Sequence, residues 1–176
     1  LSGIITELNS DEKIKVVLLK SSSEKFFCAG ADIKIFSSNS VEQNDEMVLA
    51  AREVCAAITG SDKIFIAAIR GHVLGGGLEI AMACDIRLAA EGNYLIGLPE
   101  VKLGLMPGNG GTLRMIDLIG ASRAMELLVT GNSIDPKTAF HYGLFNQLYQ
   151  SDEFVETVNT YADNLANGAG MAMTAI

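Results

Sequence analysis

Glycine constrains this chain more than any other residue type, because its 18 glycines concentrate where apolar segments end. The run Gly75-Gly76-Gly77 lies between the apolar segments Ile64–Ile69 (IFIAAI) and Leu78–Cys84 (LEIAMAC). It therefore predicts a tight turn between a buried strand and a short buried helix. Bare backbone N–H groups at such a helix N-terminus can also bind an anion or an oxyanion. The sequence is equally compatible with a purely structural turn.

The glycine clusters do not match the common nucleotide-binding or nucleophile motifs. Neither Gly75–Gly77 nor Gly108–Gly111 continues into G-x-G-x-x-G, since Leu113 stands where the third glycine would be needed. A G-K-[ST] phosphate loop and a G-x-S-x-G nucleophile elbow are also absent from the sequence.

Strand-like and helix-like segments alternate along the chain, which predicts the α/β class. The predicted strands are Ile14–Leu19, Ile64–Ile69, Asp85–Ala89, Tyr94–Gly97 and Leu144–Tyr149. The predicted helices cover Leu1–Leu8, the segment behind the capping pair Ser40 and Gln43, Leu78–Cys84, Thr112–Ile119, Ala121–Leu128, the segment from Asp135-Pro136 to Gly143, and a last helix opened by Ser151. We expect Ser21–Lys34 to form a loop.

Charge and cysteine content exclude several functional classes. The 13 basic and 21 acidic residues give a net charge of −8, which argues against nucleic-acid binding and against anionic membranes. Apolar runs are too short to span a bilayer. The wide spacing of Cys28, Cys55 and Cys84 fits neither a zinc site nor a disulfide framework. We expect free thiols in a reducing compartment, and no metal.

Two glutamates have apolar neighbours beside the glycine clusters. Glu79 lies in the apolar segment directly after Gly77, where loss of solvent would raise the pKa of a carboxyl group. Glu100 follows Pro99, just before the second cluster. Alone, the first could simply serve the helix dipole, and the second could be a surface residue. Together they supply the acid and the base that addition of water requires.

Several motifs, taken in order, resemble the crotonase superfamily, and within it most closely enoyl-CoA hydratase. Each motif is weak alone, but the ordered set is specific and runs in register from about Val16 to Leu148. The motifs are Phe26-Phe-Cys-Ala-Gly-Ala-Asp-Ile-Lys34, Gly71-His-Val-Leu-Gly-Gly-Gly-Leu-Glu79, Ala83-Cys-Asp85, Leu98-Pro-Glu-Val-Lys-Leu-Gly104, Pro107-Gly-Asn-Gly-Gly-Thr112, Leu128-Val-Thr-Gly131 and Ala139-x-x-x-Gly143-Leu144.

The resemblance implies a crotonase-like spiral of ββα units with associated helices, and subunits assembled as homotrimers or dimers of trimers. Residues 1–167 would form the acyl-CoA-binding core, and residues 168–176 the start of an incomplete C-terminal helical segment. We accordingly expect the 176 residues to be part of a longer polypeptide, lacking a preceding strand and the following helices.

The resemblance also implies a site for an acyl-CoA thioester. The backbone N–H groups of Ala31 and Gly76 would form an oxyanion hole around the thioester oxygen. Glu79 and Glu100 match the two catalytic carboxylates of the hydratases, with water activation assigned mainly to Glu79 and protonation mainly to Glu100. The residues expected to bind substrate or CoA are Ala29, Ala31, Asp32, Ile33, Lys34, Gly76 and Gly108, the last as a backbone donor near the reacting water.

The function implied is hydration of a trans-2-enoyl-CoA to a 3-hydroxyacyl-CoA through a stabilised enolate, with no metal or redox cofactor. The pathway expected is breakdown of fatty acids by β-oxidation, of amino acids or of aromatic acids. A 3-enoyl to 2-enoyl-CoA isomerase is the alternative, although such enzymes commonly keep a single catalytic carboxylate. A non-catalytic interaction protein of the same fold is the alternative from another class. The chain departs from some hydratases at Leu98, which replaces a glutamine, while His72 is predicted to be a packing residue. We expect a cytoplasmic protein, or a mitochondrial-matrix protein in a eukaryote.

Overall fold

A computed structural model of the chain describes residues 1–169 and 172. Strands and helices alternate along it, which confirms the α/β class. The helices are α1 (Ser2–Ser10), α2 (Ile33–Ser38), α3 (Val41–Thr59), α4 (Gly76–Ala83), α5 (Gly111–Ile119), α6 (Ala121–Thr130), α7 (Pro136–Tyr142) and α8 (Phe154–Ala166), with a 3-10 helix at Pro99–Leu103. The strands are β1 (Val16–Lys20), β2 (Phe26–Cys28), β3 (Ile64–Ile69), β4 (His72–Leu74), β5 (Ile86–Ala90), β6 (Ile96–Gly97) and β7 (Gln147–Tyr149).

The strands divide between two sheets according to their order in the chain. The odd-numbered strands form one parallel sheet in the order β1-β3-β5-β7. The even-numbered strands form a second parallel sheet in the order β2-β4-β6. Each of the first three passes of the chain therefore adds one strand to each sheet and then a helical segment, and the last pass adds β7 to the first sheet, followed by α8. This is the spiral of ββα units that the resemblance predicts, and the structure confirms it.

Strand β3 is buried on both faces. Phe65, Ala67 and Ile69 pack in the main core, which also contains residues of α3, α4 and α5. The intervening residues Ile66 and Ala68 belong to a second cluster, which packs against α8. Because neither face meets solvent, this strand is apolar without alternation, as is typical of parallel sheets.

Two helices have the caps that the sequence predicts. At the start of α3, Ser40 Oγ accepts the Gln43 N–H at 3.3 Å while Gln43 Oε1 accepts the Ser40 N–H at 2.9 Å. Asp135 accepts two backbone N–H groups at the start of α7, whose first residue is Pro136. Gly143 follows the end of α7 in the left-handed conformation, with φ 89°. These helix ends are determined by local side-chain chemistry.

The prediction of a loop over Ser21–Lys34 is wrong in part, because β2 and the start of α2 lie within it. Strand β4 and the 3-10 helix are likewise absent from the sequence-based assignment. Strands β2 and β4 have three residues each, too few to show a hydrophobic period. They form by pairing with each other, Phe26 opposite His72, and tertiary pairing of this kind leaves no local signal.

The division of the chain at residue 168 stays a prediction. The apolar helix expected from Met171 to Ile176 lies, apart from Ala172, outside the described residues. Every helix in the described part of the chain is too short or too polar to cross a membrane.

Arg87 of β5 is a charged side chain that the fold has buried, with only 4% of its surface exposed. Its Nε donates to the Leu144 carbonyl at 2.8 Å, and its Nη1 donates to the Cys84 carbonyl at 2.6 Å. Its Nη2 donates to Asn146 Oδ1 at 3.3 Å. Burial is the main cause that lowers the pKa of Arg87. The guanidinium thus ties β5 to the segment preceding β7.

Replacing Arg87 should destabilise the fold, because Arg87→Met leaves buried carbonyls without donors. We expect the free energy of unfolding to fall by about 2–4 kcal/mol, measured by urea denaturation. The matched control is Arg70→Met, whose guanidinium pairs with Glu24 at 3.8 Å near the surface. That change should cost less than about 1 kcal/mol. Equal losses for the two variants would contradict the role assigned to Arg87.

Candidate active site

The site is built where two parallel strands of the second sheet end. Strands β2 and β4 are neighbours and run in the same direction, so the residues that follow them meet at one edge of the sheet. These residues are Ala29-Gly30-Ala31 after β2 and Gly75-Gly76-Gly77 after β4. The two small-residue motifs singled out in the sequence are therefore brought together.

Glycine is required where these two turns touch. Gly30 has φ +85°, and a Cβ added there would lie 3.0 Å from the Gly76 nitrogen and 3.2 Å from the Leu74 oxygen. A Cβ on Gly77 would strike the carbonyl group of Cys28, lying 2.7 Å from its carbon. Gly75 has φ +53°. A side chain at any of these positions would force the turns apart.

The backbone donors predicted for an oxyanion hole lie at this contact. Within the described part of the chain, neither the Ala31 N–H nor the Gly76 N–H donates a hydrogen bond to another protein group. Gly76 is the first residue of α4, so its N–H is also one of the unpaired donors at a helix N-terminus. The arrangement can stabilise a negative oxygen placed between the two loops.

Glu79 lies one turn into α4 and is 1% exposed. Its Oε1 accepts the backbone N–H groups of Asn109 at 2.7 Å and of Gly111 at 2.9 Å. Its Oε2 accepts the side-chain amide of Asn109 at 2.8 Å. A Cβ on Gly111 would lie 2.8 Å from Glu79 Oε1. The absence of a side chain at Gly111 therefore lets the backbone of the second glycine cluster approach this carboxylate.

Glu100 lies in the first turn of the 3-10 helix, and its side chain lies beside the turn that contains Gly75. A Cβ added to Gly75 would lie 3.1 Å from Glu100 Oε1. Its Oε2 is buried and has no hydrogen-bond partner among the described residues. Burial raises the pKa of Glu100, its own backbone N–H opposes that shift, and the negative charge of nearby Glu79 adds to it. The structure thus brings the two predicted carboxylates near each other, in unlike surroundings.

Two arginines that the sequence analysis missed hold the second glycine cluster. Arg52 of α3 donates from Nε to the Gly108 carbonyl at 2.6 Å. Arg114 of α5 donates from Nη1 to the Asn109 carbonyl at 2.6 Å. Gly108, predicted as a backbone donor, is thus anchored through its oxygen. The polar residue between glycines, Asn109, was a signal in the sequence that could have indicated a contact with the site.

The segment predicted to bind CoA continues from Ala31 into α2 and is exposed. Asp32 caps this helix by accepting the N–H groups of Lys34 and Ile35, at 2.9 and 3.5 Å. Ile33 is 57% exposed, and the Lys34 side chain is also exposed. The carboxylate of Asp32 is therefore used within the protein, while its neighbours remain accessible to a ligand.

His72 and Leu98 have packing contacts. His72 Nδ1 accepts the Leu95 N–H at 3.0 Å, and its ring lies 5.2 Å from that of Phe26. Leu98 is 1% exposed and approaches Gly111, where an added Cβ would lie 3.1 Å from its Cδ1. Among the described residues, no group of three His, Cys, Asp or Glu side chains is arranged to hold a metal ion.

Comparison with known proteins agrees with this architecture. Residues 2–176 match the sequence model of the family described as enoyl-CoA hydratase/isomerase. Crotonyl-CoA hydratase of Syntrophomonas wolfei is 37% identical over 173 residues, which cover 98% of this chain and 66% of that protein. Short-chain-enoyl-CoA hydratase of Clostridium acetobutylicum is 35% identical over 170 residues, covering 97% of this chain and 65% of that protein.

Solved structures give the same result. The crystal structure of an enoyl-CoA hydratase from Bacillus anthracis superposes with a TM-score of 0.94 at 37% identity, covering 98% of this chain and 66% of that one. The chain thus spans about two thirds of the length of these relatives. With the family model matched from residue 2 to residue 176 and the spiral of ββα units in place, the chain belongs to the enoyl-CoA hydratase/isomerase family of the crotonase superfamily.

Proposed function

We propose that the protein adds water to the double bond of a trans-2-enoyl-CoA, giving a 3-hydroxyacyl-CoA. The observation that carries the proposal is that two neighbouring carboxylates, Glu79 and Glu100, lie beside glycine turns where the N–H groups of Ala31 and Gly76 have no partner among the described residues. Hydration needs a base for the water, an acid for the α-carbon and donors for the thioester oxygen. Glu79, Glu100 and the N–H groups of Ala31 and Gly76 are the groups proposed for these three tasks. The names of the two hydratases compared above support the same class of substrate.

The free donors would stabilise the negative charge that develops during the reaction. Attack of water oxygen on C3 forms the C3–O bond and moves the C2–C3 π electrons toward the thioester carbonyl, as an enolate. The N–H groups of Ala31 and Gly76 would hold that oxygen. Removing one such donor typically costs roughly 10²–10³ in rate.

Glu79 is suited to take the proton from water, since three N–H donors hold its carboxylate in one orientation. Glu100 is suited to supply the proton to C2. Burial raises its pKa, so the carboxyl keeps its proton closer to neutral pH. Proton exchange between the two groups and solvent then restores the starting state. The overall addition changes no redox state and requires no metal or redox cofactor.

The accessible segment from Ala31 to Lys34 is proposed to lie along the CoA portion of the substrate, and Ala29 lies just before it. Assembly into homotrimers or dimers of trimers, and a location in the cytoplasm or the mitochondrial matrix, also stay predictions. The free state of Cys28, Cys55 and Cys84 is compatible with those reducing compartments.

Replacing either carboxylate should slow hydration. We expect Glu79→Gln and Glu100→Gln each to lower kcat for crotonyl-CoA by roughly 10²–10⁴, because each change removes a positioned proton acceptor or donor. Hydration is measured as the loss of enoyl-thioester absorbance. Thioester binding should change little, since the proposed oxyanion donors are backbone groups.

The matched control for these variants is Glu126→Gln, which changes an exposed glutamate on α6 and should leave kcat unchanged. Absence of turnover by the wild type across short, medium and aromatic enoyl-CoAs would overturn the proposal. Retention of isomerisation of a 3-enoyl-CoA by a variant that no longer hydrates would favour the isomerase alternative instead.

The raised pKa of Glu100 also predicts how stability depends on pH. A carboxyl whose pKa rises on folding binds its proton more tightly in the native state, so stability falls as pH rises above its ordinary value of 4.5. Glu100→Gln removes this loss. We therefore expect the variant to unfold at higher urea concentration than the wild type at about pH 8, with the difference vanishing near pH 4. A wild type more stable than the variant at pH 8 would contradict this.

A further inference from the structure

The carboxylate of Glu79 has little acceptor capacity left for a water molecule. Its Oε1 accepts the backbone N–H groups of Asn109 at 2.7 Å and of Gly111 at 2.9 Å. Its Oε2 accepts the side-chain amide of Asn109 at 2.8 Å. Since each carboxylate oxygen offers about two acceptor positions, Oε1 is filled and Oε2 retains one. Oε2 is therefore the oxygen through which Glu79 can take a proton.

Two more buried acceptors near this position have no partner among the described residues, Asn109 Oδ1 and Glu100 Oε2. Both side chains border the same turn. A Cβ added to Gly76 would lie 3.6 Å from Asn109 Nδ2, and one added to Gly75 would lie 3.1 Å from Glu100 Oε1. Buried acceptors are rarely left unpaired in native proteins, so two of them at one turn indicate a site for a donor such as water.

We propose that Asn109 positions the reacting water, a role that rests on the hydration proposed above. Its Nδ2–H group fixes Glu79 Oε2, and its Oδ1 accepts one O–H of the water. The second O–H then points to the remaining acceptor position of Glu79 Oε2. With both O–H bonds directed to acceptors, a lone pair of the water oxygen is left to face the substrate carbon.

An asparagine is suited to this role because one amide supplies a donor and an acceptor side by side. An alanine at position 109 would supply neither. An aspartate would keep an acceptor oxygen but replace the donor with a second negative charge facing Glu79 Oε2. Asn109→Ala therefore tests loss of the contact, and Asn109→Asp tests replacement of its N–H donor by a negative charge.

The kinetic test compares Asn109→Ala and Asn109→Asp with the wild type on crotonyl-CoA, using the full chain. Asn109→Ala should lower kcat roughly 10²-fold with little change in KM, because the water and the base lose their alignment. Asn109→Asp should be impaired at pH 8 and recover in part at lower pH, where the introduced carboxyl becomes protonated and can donate a hydrogen bond. The control Asn93→Ala, in an exposed turn, should match the wild type.

A crystal structure of the wild type at high resolution gives a readout that does not depend on turnover. An ordered water should lie within roughly 3.2 Å of both Asn109 Oδ1 and Glu79 Oε2. Its absence overturns the proposal. A wild type that hydrates enoyl-CoA while Asn109→Ala keeps its kcat and pH profile overturns the role of Asn109 alone. A wild type that hydrates no enoyl-CoA overturns the hydration and this role together.

Discussion

Strands β2 and β4 pair through their backbones, Phe26 opposite His72 and Cys28 opposite Val73, and this pairing places the two turns on which the candidate site is built. It brings the turn after each strand to one sheet edge and presses Gly77 against the Cys28 carbonyl. The contact leaves no room for a side chain at Gly77. Because Gly77 has none, the first turn of α4 can lie directly against the end of β2. The N–H groups at the start of α4, and Glu79 one turn later, take their positions from that approach.

The sequence predicts those parts of the fold that leave a recognisable pattern in consecutive residues. Strand β3 is apolar because both its faces are buried, and α3 begins where Ser40 and Gln43 cap it. The site residues were predicted together through the family resemblance, but the strand pairing that joins their loops was not, because β2 and β4 are too short to show a period. The support from Arg52, whose partner lies 56 residues away, leaves no mark on any local pattern.

The two carboxylates of the site differ because the protein surrounds them differently. Glu79 is more deeply buried, yet three N–H donors face its oxygens. Glu100 keeps a buried oxygen without a partner, and burial raises its pKa. An unpaired buried acceptor lowers stability, so its retention here fits a group kept ready for a proton rather than for packing. The proposed division of acid and base between two identical side chains rests on these unlike surroundings.

The glycine-rich loop of residues 108–111, which binds the Glu79 carboxylate, has a single side chain of its own, that of Asn109. Its conformation is stabilised by side chains of neighbouring helices. Arg52 binds the Gly108 carbonyl at 2.6 Å, and that carbonyl shares a planar peptide unit with the Asn109 N–H. The two groups of a trans peptide point in opposite directions, so fixing the oxygen toward α3 directs the N–H toward Glu79 Oε1. Arg114 restrains the next carbonyl of the loop, that of Asn109, at 2.6 Å. Arg52 thus orients a donor to the Glu79 carboxylate through the backbone of the loop, and Arg114 restrains the same loop, so that contacts within the protein fix the carboxylate.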